Sequence, residues 1–359
     1  PHVRSEMQHV LKFWFDMGVD GIRADAVRWI SKHADLEDDP VNPHYTGGPG
    51  EDEFWSLLHK NSRFGDKLFD YLREMTDVVA QYENRIMIFE DYPDEIYDIR
   101  DQYLGFYGVN PKVSMPFNFE GIGLPFTAEA YRRFVAEFQG MLNQKEHTPV
   151  YCFGNHDQPR LATRVGDEQS RLVVIMQLCL PGIPVIYYGD ELSMINGVIA
   201  LEQEQDPLNK IKPGLNLCRD PERTPMQWNS SRLAGFTDGE PWLPIAAESH
   251  YRNVEVQRTD ADSHFSLYQS LLRMRDELDI LRSGDYETFS EPDEPFFVFG
   301  RRNGEEHVLV VLNFSNMPTK FQTPHGGTVL IASHPADLPT IDKKGIVHLR
   351  PYEAAVIEC

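Results

Sequence analysis

Apolar and polar positions alternate between two periods along this chain. Short apolar runs bounded by turn residues recur at 19–24, 85–90, 113–117, 150–154 and 184–188, and each reads as a buried strand. Between them, apolar positions three and four apart mark helices at 3–17, 62–82, 128–142, 168–180 and 263–281. In the first of these Val3, Met7, Val10, Leu11 and Trp14 recur at helical spacing. Strand, loop and helix in regular alternation predict a parallel α/β architecture.

Two connections are long. Residues 32–61 follow the first strand and 189–262 follow the fifth, and both are rich in Pro, Gly and Asp. Long loops in compact domains are commonly functional, and α/β proteins build sites on the loops that follow strands. Beyond Gly284 the pattern changes to short β-type runs at 295–301, 307–314, 327–331, 346–349 and 354–357. These predict a small all-β module, a sandwich or half-barrel. The expected organisation is therefore an α/β part over 1–283, carrying the loop 189–262, and a β-domain over 284–359.

Composition narrows the possibilities. The chain has 359 residues, 41% of them hydrophobic, with 21 Phe, 15 Tyr and 5 Trp. That supply of core-forming side chains excludes disorder as the main state. A formal net charge of −22 argues against nucleic acid or an anionic membrane as partner. The apolar runs are far too short to span a bilayer. Cys152, Cys179, Cys218 and Cys359 form no CxxC pair and fit no zinc spacing, so free thiols in a reducing compartment are expected, with no metal or cofactor.

Three segments at strand ends carry candidate chemistry. In Gly21-Ile-Arg-Ala-Asp-Ala26, strand periodicity puts Arg23 and Asp25 on one face. A guanidinium there keeps the carboxylate ionised, as a nucleophile requires. The run Ile86-Met-Ile-Phe-Glu-Asp91 ends in Glu90, whose apolar neighbours suit a proton donor with a raised pKa. His156 and Asp157 follow the strand at 150–154. Taken singly, Asp25 also reads as a helix N-cap or turn residue, Glu90 as an exposed loop acid and His156 as a satisfied core histidine. Together, three acids at the carboxyl ends of separate parallel strands would converge on one face of a barrel. Two converging carboxylates with an arginine and a histidine suit glycoside hydrolysis.

The chain resembles the α-amylase-type glycoside hydrolases, within them the bacterial α-glucosidase and oligo-1,6-glucosidase branch. GVDGIRADAV (18–27), IMIFED (86–91), FGNHDQPR (153–160), PGIPVIYYGDEL (181–192) and RDPERTPMQW (219–228) carry the resemblance, with GEPWLP (239–244) and NVEVQ (253–257). It implies that Asp25 is the nucleophile, Glu90 the general acid/base and Asp157 the acid that stabilises the transition state. It further implies that Arg23, His156 and Arg223 bind the sugar. The implied reaction is retaining hydrolysis of terminal α-linked glucose from short oligosaccharides of the maltose, isomaltose or sucrose type. Alternatives are a transglucosylase, a trehalose-synthase-type glucosyl isomerase and a non-catalytic barrel homologue or inactive fragment. Phe89 stands where many members have Gly, and Ala26 where Val or Thr accompanies a linkage preference.

The resemblance also implies a barrel position. One helix precedes Asp25, whereas the family's nucleophile sits on the fourth of eight strands. The chain is thus expected to represent strands 4 to 8 of a TIM (β/α)8 barrel followed by the all-β domain. About 200 residues, with any calcium loop near the first strand, would lie upstream in a complete barrel. Open sheet edges would then leave the chain poorly stable or inactive by itself. Trp55, Trp14, Phe13 and the methionines Met7, Met17, Met75 and Met176 are expected in the core. Trp228 and Trp242 are balanced between packing and a subsite wall. Asp190 and Glu191 read as structural loop acids, and 202–206 as a solvated run or an entrance to the site. The expected partner is a small oligosaccharide, without nucleic acid or membrane, in a monomer or homodimer. The expected location is the cytoplasm.

Overall fold

A computed structural model describes residues 1–48, 50–92, 98–142, 146–291, 293–324 and 326–359. The chain divides into two compact units. One comprises residues 1–120, 138–150 and 212–216, the other 121–137, 151–211 and 217–359.

The first unit begins with α1 (His2–Asp16), β1 (Gly21–Ala24), α2 (Leu68–Val79), β2 (Ile86–Phe89), α3 (Ile99–Val109) and β3 (Ser114–Pro116). β2 lies between β1 and β3 and is parallel to both, with Gly21 opposite Ile86 and Ala24 opposite Phe89. Parallel neighbours need crossover connections, which α2 and α3 provide. α2 buries Leu68, Leu72, Thr76 and Val79, a stripe of helical spacing. Leu68, Leu72 and Val79 join Met87, Phe89 and Phe106 in one apolar cluster.

Three expectations need correction here. In α1 only Leu11 and Phe15 are buried. Val3, Met7, Val10, Phe13, Trp14 and Met17 are exposed, because α2 and its neighbours cover a single stripe of the helix. The predicted helix at 62–82 is shorter. Phe64 takes a positive φ of 53°, and its N–H donates to the Arg28 carbonyl instead of continuing a helix. α3 was not foreseen. Gly105 and Gly108 weaken its propensity. Yet Asp98 caps it by accepting from the Asp101 N–H at 3.1 Å, and a Cβ at Gly105 would run into the Phe69 ring.

Next along the chain come α4 (Ala128–Met141), β4 (Val150–Cys152), α5 (Leu161–Val165), α6 (Asp167–Cys179) and β5 (Ile183–Val185), which pairs with β4. Residues 170–179 of α6 are all buried, as in a helix covered on every side. The 189–262 connection contains only α7 (Pro207–Ile211), α8 (Val254–Gln257) and single 3-10 turns. α9 (His264–Glu277), capped by Ser263, packs on α6. The predicted 263–281 helix breaks at Leu278 (φ −98°, ψ 100°), and α10 (Asp279–Ser283) restarts after it.

The chain ends in β6 (Asp285–Thr288), β7 (Phe296–Asn303), β8 (Glu306–Asn313), β9 (Thr319–Gln322), β10 (Thr328–Ala332), β11 (Ile346–Leu349) and β12 (Ala354–Glu358). Five of these form an antiparallel sheet in the order β10-β12-β8-β7-β6, and β11 pairs with β9. Val298, Leu309, Val311 and Ile357 of the larger sheet meet Val347 and Leu349 of the smaller in one core. The unforeseen strands are β6, at a sheet edge, and β9; both are four residues long and lack an apolar run. Buried arginines tie this sheet to the preceding helices. Arg301 donates to the carbonyls of Cys179 (2.9 Å), Leu281 (2.6 Å) and Gly284 (2.6 Å), and Arg171 to that of Ser333 (2.7 Å).

Candidate active site

Two clusters of the expected residues form, one within each compact unit. In the first, β1 carries Arg23, and Asp25 follows one residue past the strand's end, near enough for the two side chains to pair. Arg23 Nη2 lies 3.0 Å from Asp25 Oδ1, and the same nitrogen donates to Glu90 Oε2. Glu90 follows directly on β2. Its N–H donates to the Ala24 carbonyl at 2.9 Å, which extends the β1–β2 ladder to the acid itself. The two carboxylates differ in setting: the Glu90 side chain is 8% exposed and that of Asp25 72%. The loop-acid reading of Glu90 therefore fails.

Ala26, which caps the 3-10 turn Val27–Ile30, lies in the left-handed region (φ 46°, ψ 43°), a conformation that costs an L-residue roughly 1–2 kcal/mol. Asp25 stands in the turn between Ala24, the last residue of the strand, and Ala26. Behind Glu90, Asp91 is buried and gripped by Arg28 through Nε (2.5 Å) and Nη2 (2.6 Å). Arg28 also donates to the Tyr92 carbonyl. The sequence reading missed this fork, although the Glu90-Asp91 doublet was a signal: adjacent acids after one strand face different surroundings.

The second cluster follows β4. Asn155 Oδ1 accepts from the Asp157 N–H at 3.0 Å, a turn that fixes the backbone beside His156. Asp157 Oδ1 receives Arg219 Nη1 at 2.8 Å and Arg223 Nη2 at 2.9 Å. Its Oδ2 lies 3.6 Å from His156 Nε2. Arg223 Nε donates to the His156 carbonyl at 2.7 Å. The His156 side chain is 46% exposed, so it is no core histidine. Thus Arg23, Asp25 and Glu90 come together in one unit, and His156, Asp157 and Arg223 in the other.

Arg219 and Asp206 were not singled out. Arg219 holds Asp206 through Nε (2.7 Å) and Nη2 (3.1 Å) while its Nη1 reaches Asp157. Asp206 is buried, and the Arg219 hydrogen bonds hold its carboxyl well below the usual carboxylate range. It is a strut rather than part of a solvated run. The available signal was the spacing of Arg219 and Arg223 across the turn Asp220–Arg223. Between them, buried Glu222 is pushed up to about 7 by desolvation.

Asp190 and Glu191 serve their own loop, as expected. Asp190 Oδ2 accepts from the Tyr187 N–H at 3.3 Å and Glu191 from the Gly189 N–H at 2.8 Å. Part of the Asp190 side chain reaches solvent, but the protein packed around it still pushes its carboxyl up to about 7. Trp55 is 53% exposed and stands outside the core, edge-on to Phe54. Among the described residues no group of three or more His, Cys, Asp or Glu could hold a metal ion, and no helix is long and apolar enough to cross a membrane. None of the four cysteines is in a disulfide.

The alpha-amylase catalytic domain matches residues 1–284, and the chain belongs to that family of glycoside hydrolases. It is 30% identical to an oligo-1,6-glucosidase of Halalkalibacterium halodurans, over 99% of this chain and 68% of that protein. It is 28% identical to a trehalose-6-phosphate hydrolase of Bacillus subtilis, over 99% and 67%. Among solved structures, the alpha-glucosyl transfer enzyme XgtA superposes with a TM-score of 0.87 at 26% identity, covering 99% of this chain and 67% of that one. A trehalulose synthase variant bound to Tris gives 0.82 at 25%, covering 100% and 69%.

Proposed function

We propose that this chain carries the catalytic acids of a retaining α-glucosidase acting on short α-glucosides. Residues 1–283 correspond in this reading to strands 4 to 8 of the barrel and 284–359 to the C-terminal β-domain. Asp25 attacks the anomeric carbon of a terminal glucose. The bond from that carbon to the leaving oxygen breaks as Glu90 protonates it. Water then gives its proton to Glu90 and attacks the same carbon, which frees Asp25 and returns an α product. The family resemblance gives Asp157 the role of gripping sugar hydroxyls as the ring flattens, and gives Arg23, His156 and Arg223 roles in binding sugar.

The observation that carries this reading is the shared Arg23 nitrogen. Two carboxylate oxygens on one donor lie at most roughly 6 Å apart. Retaining glycosidases hold their carboxyls about 5–5.5 Å apart, and inverting ones farther. The contrast in burial supports the assignment of roles, with Glu90 enclosed and Asp25 open to an incoming sugar. A cytoplasmic setting is in keeping with cysteines that form no disulfide.

Turnover of maltose, isomaltose and sucrose by the protein as its gene encodes it tests the proposal. Asp25→Asn should lower kcat by about 10³-fold or more while leaving the fold unchanged. Undiminished turnover would remove Asp25 from its role. A second reading, glucosyl transfer or sugar isomerisation, is favoured by the likeness to the transfer enzyme and the trehalulose synthase. Products separate the two: free glucose alone from maltose indicates hydrolysis, and trehalose or longer sugars indicate transfer.

A further inference from the structure

Arg223 reaches Asp157 from the short turn Asp220–Arg223, and the residue before it in that turn is a buried acid, Glu222. Glu222 Oε2 accepts from Asn196 Nδ2 at 3.1 Å. Asn196 lies in the connection after β5 and is bound in turn to the segment that leads from Asp157 into α5. Its Oδ1 accepts from the Arg160 N–H at 2.8 Å, and its own N–H donates to Thr163 Oγ1 at 2.7 Å. Beside it, the Gly197 N–H donates to the Pro221 carbonyl at 2.7 Å. A closed path therefore runs from Asp157 along the chain to Arg160, across to Asn196 and Glu222, and through Arg223 back to Asp157. All of its members lie in the second compact unit.

Stability alone does not call for an acid here. Burial pushes the Glu222 carboxyl up to about 7 although Arg223 and Arg160 pull it down, and Asp157 adds to the rise. Ionising it therefore disfavours the folded chain. A methionine of similar volume would avoid that penalty. What an apolar side chain cannot supply is the oxygen that Asn196 bonds. Asp157 has a second guanidinium, that of Arg219, which Asp206 clamps. Losing the Glu222 bond would thus free Arg223 more than it frees Asp157.

We propose that Glu222 is a positioning residue, which through Asn196 holds Arg223 where it meets the sugar. The proposal rests on the glycosidase reading for the sugar, and on the hydrogen-bonded path alone for the hold on Arg223.

Glu222→Met, Asn196→Ala and Glu222→Gln test it by two readouts. The first is water exchange of the arginine Nε–H protons, followed by nitrogen NMR. Arg223 Nε donates to the His156 carbonyl and Arg219 Nε to Asp206, so each proton reports on its own arginine. The second is turnover of whichever of maltose, isomaltose and sucrose is hydrolysed fastest. In Glu222→Met and in Asn196→Ala the Arg223 proton should exchange about 10-fold faster. KM should rise about 10-fold with kcat within about 3-fold of wild type, since Asp157 keeps Arg219. Glu222→Gln keeps an oxygen for Asn196 and should restore both values. The Arg219 proton should exchange as before, and Glu222→Met should melt no lower than wild type at about pH 8. Unchanged Arg223 exchange in both disrupting variants overturns the proposal. So does equal acceleration at both arginines with a lowered Tm, which marks a loosened fold, and so does an unchanged KM in a protein that hydrolyses these sugars. Faster exchange at Arg223 alone, in a protein that turns over no α-glucoside, upholds the hold on Arg223 and defeats the glycosidase reading.

Discussion

Asp157 is held from two sides, and the holding is what the sugar would meet. Its two arginines differ in what stands behind them. Arg223 is tied to the His156 carbonyl, whereas Arg219 is clamped to the buried Asp206. Removing Arg219 would leave the Asp206 carboxylate enclosed without its cation. Because Arg219 is itself about a third exposed, solvent softens the loss, and Arg219→Met should cost about 3 kcal/mol. Urea denaturation of the purified protein measures it. Arg219→Met with Asp206→Asn together should recover much of that stability, since the stranded charge is gone. A double variant no more stable than the single one would show that the pair does not act as a strut.

Among the elements, α6 meets both α9 and the C-terminal sheet, and two histidines nearby respond to pH in opposite senses. His334, just after β10, lies 3.1 Å from Glu168 at the start of α6 and 2.9 Å from Asp262. The hydrogen bond to Glu168 raises its pKa above the ordinary value despite partial burial. Its stabilising contribution is therefore complete below the unfolded value near 6.5 and is lost as pH rises through the higher folded value. His264, the first residue of α9, is buried and its pKa falls to about 4 by desolvation. Between pH 4 and 6.5 the unfolded chain binds the proton that the native state refuses, so stability drops as pH falls through that window. Thermal melts from pH 4 to 8 should show Tm falling toward both ends of the range. His334→Gln should flatten the alkaline side while leaving the acid side steep. A variant profile parallel to the wild type would refute the His334 assignment.

At the scale of the whole molecule, the C-terminal strands are not a free appendage. The second compact unit includes the C-terminal sheet together with α5, α6, α9 and α10. Arg301 is fully buried, and its guanidinium satisfies three backbone carbonyls at the ends of α6 and α10 and at Gly284. Arg301→Leu would take this donor from the Cys179 and Gly284 carbonyls, while the Leu281 carbonyl keeps Arg275 at 3.2 Å. The expected loss is on the order of 3–5 kcal/mol, read from denaturant midpoints. Deleting residues 284–359 removes the same bonds and uncovers α6, which is buried on every side. The shortened chain should aggregate or expose apolar surface to a dye such as ANS. A shortened chain that melts cooperatively would show the boundary to be one between independent folding units.

How much of this was legible beforehand depends on the range of the interaction. The five strands of the α/β part and five of the seven later strands were readable, because buried runs keep their period whatever surrounds them. So was the nearness of Arg23 to Asp25, since a separation of two residues is local geometry. The family resemblance put forward six candidate site residues from contiguous motifs. Other features lay beyond any local pattern. α3 depends on a capping Asp98 and a Phe69 ring from another helix, and β6 and β9 exist only because a neighbouring strand offers hydrogen bonds. The apolar stripe of α1 was correctly seen as helical, yet its burial was decided by what packs against it. Arg28 gripping Asp91, and Asp206 bracing Arg219, join residues 63 and 13 positions apart. The sequence by itself determined the periodicities, the chemistry of the acids and the family. Only tertiary structure decided which charges are paired and which aromatics stay bare, because pairing and burial are properties of neighbours in space.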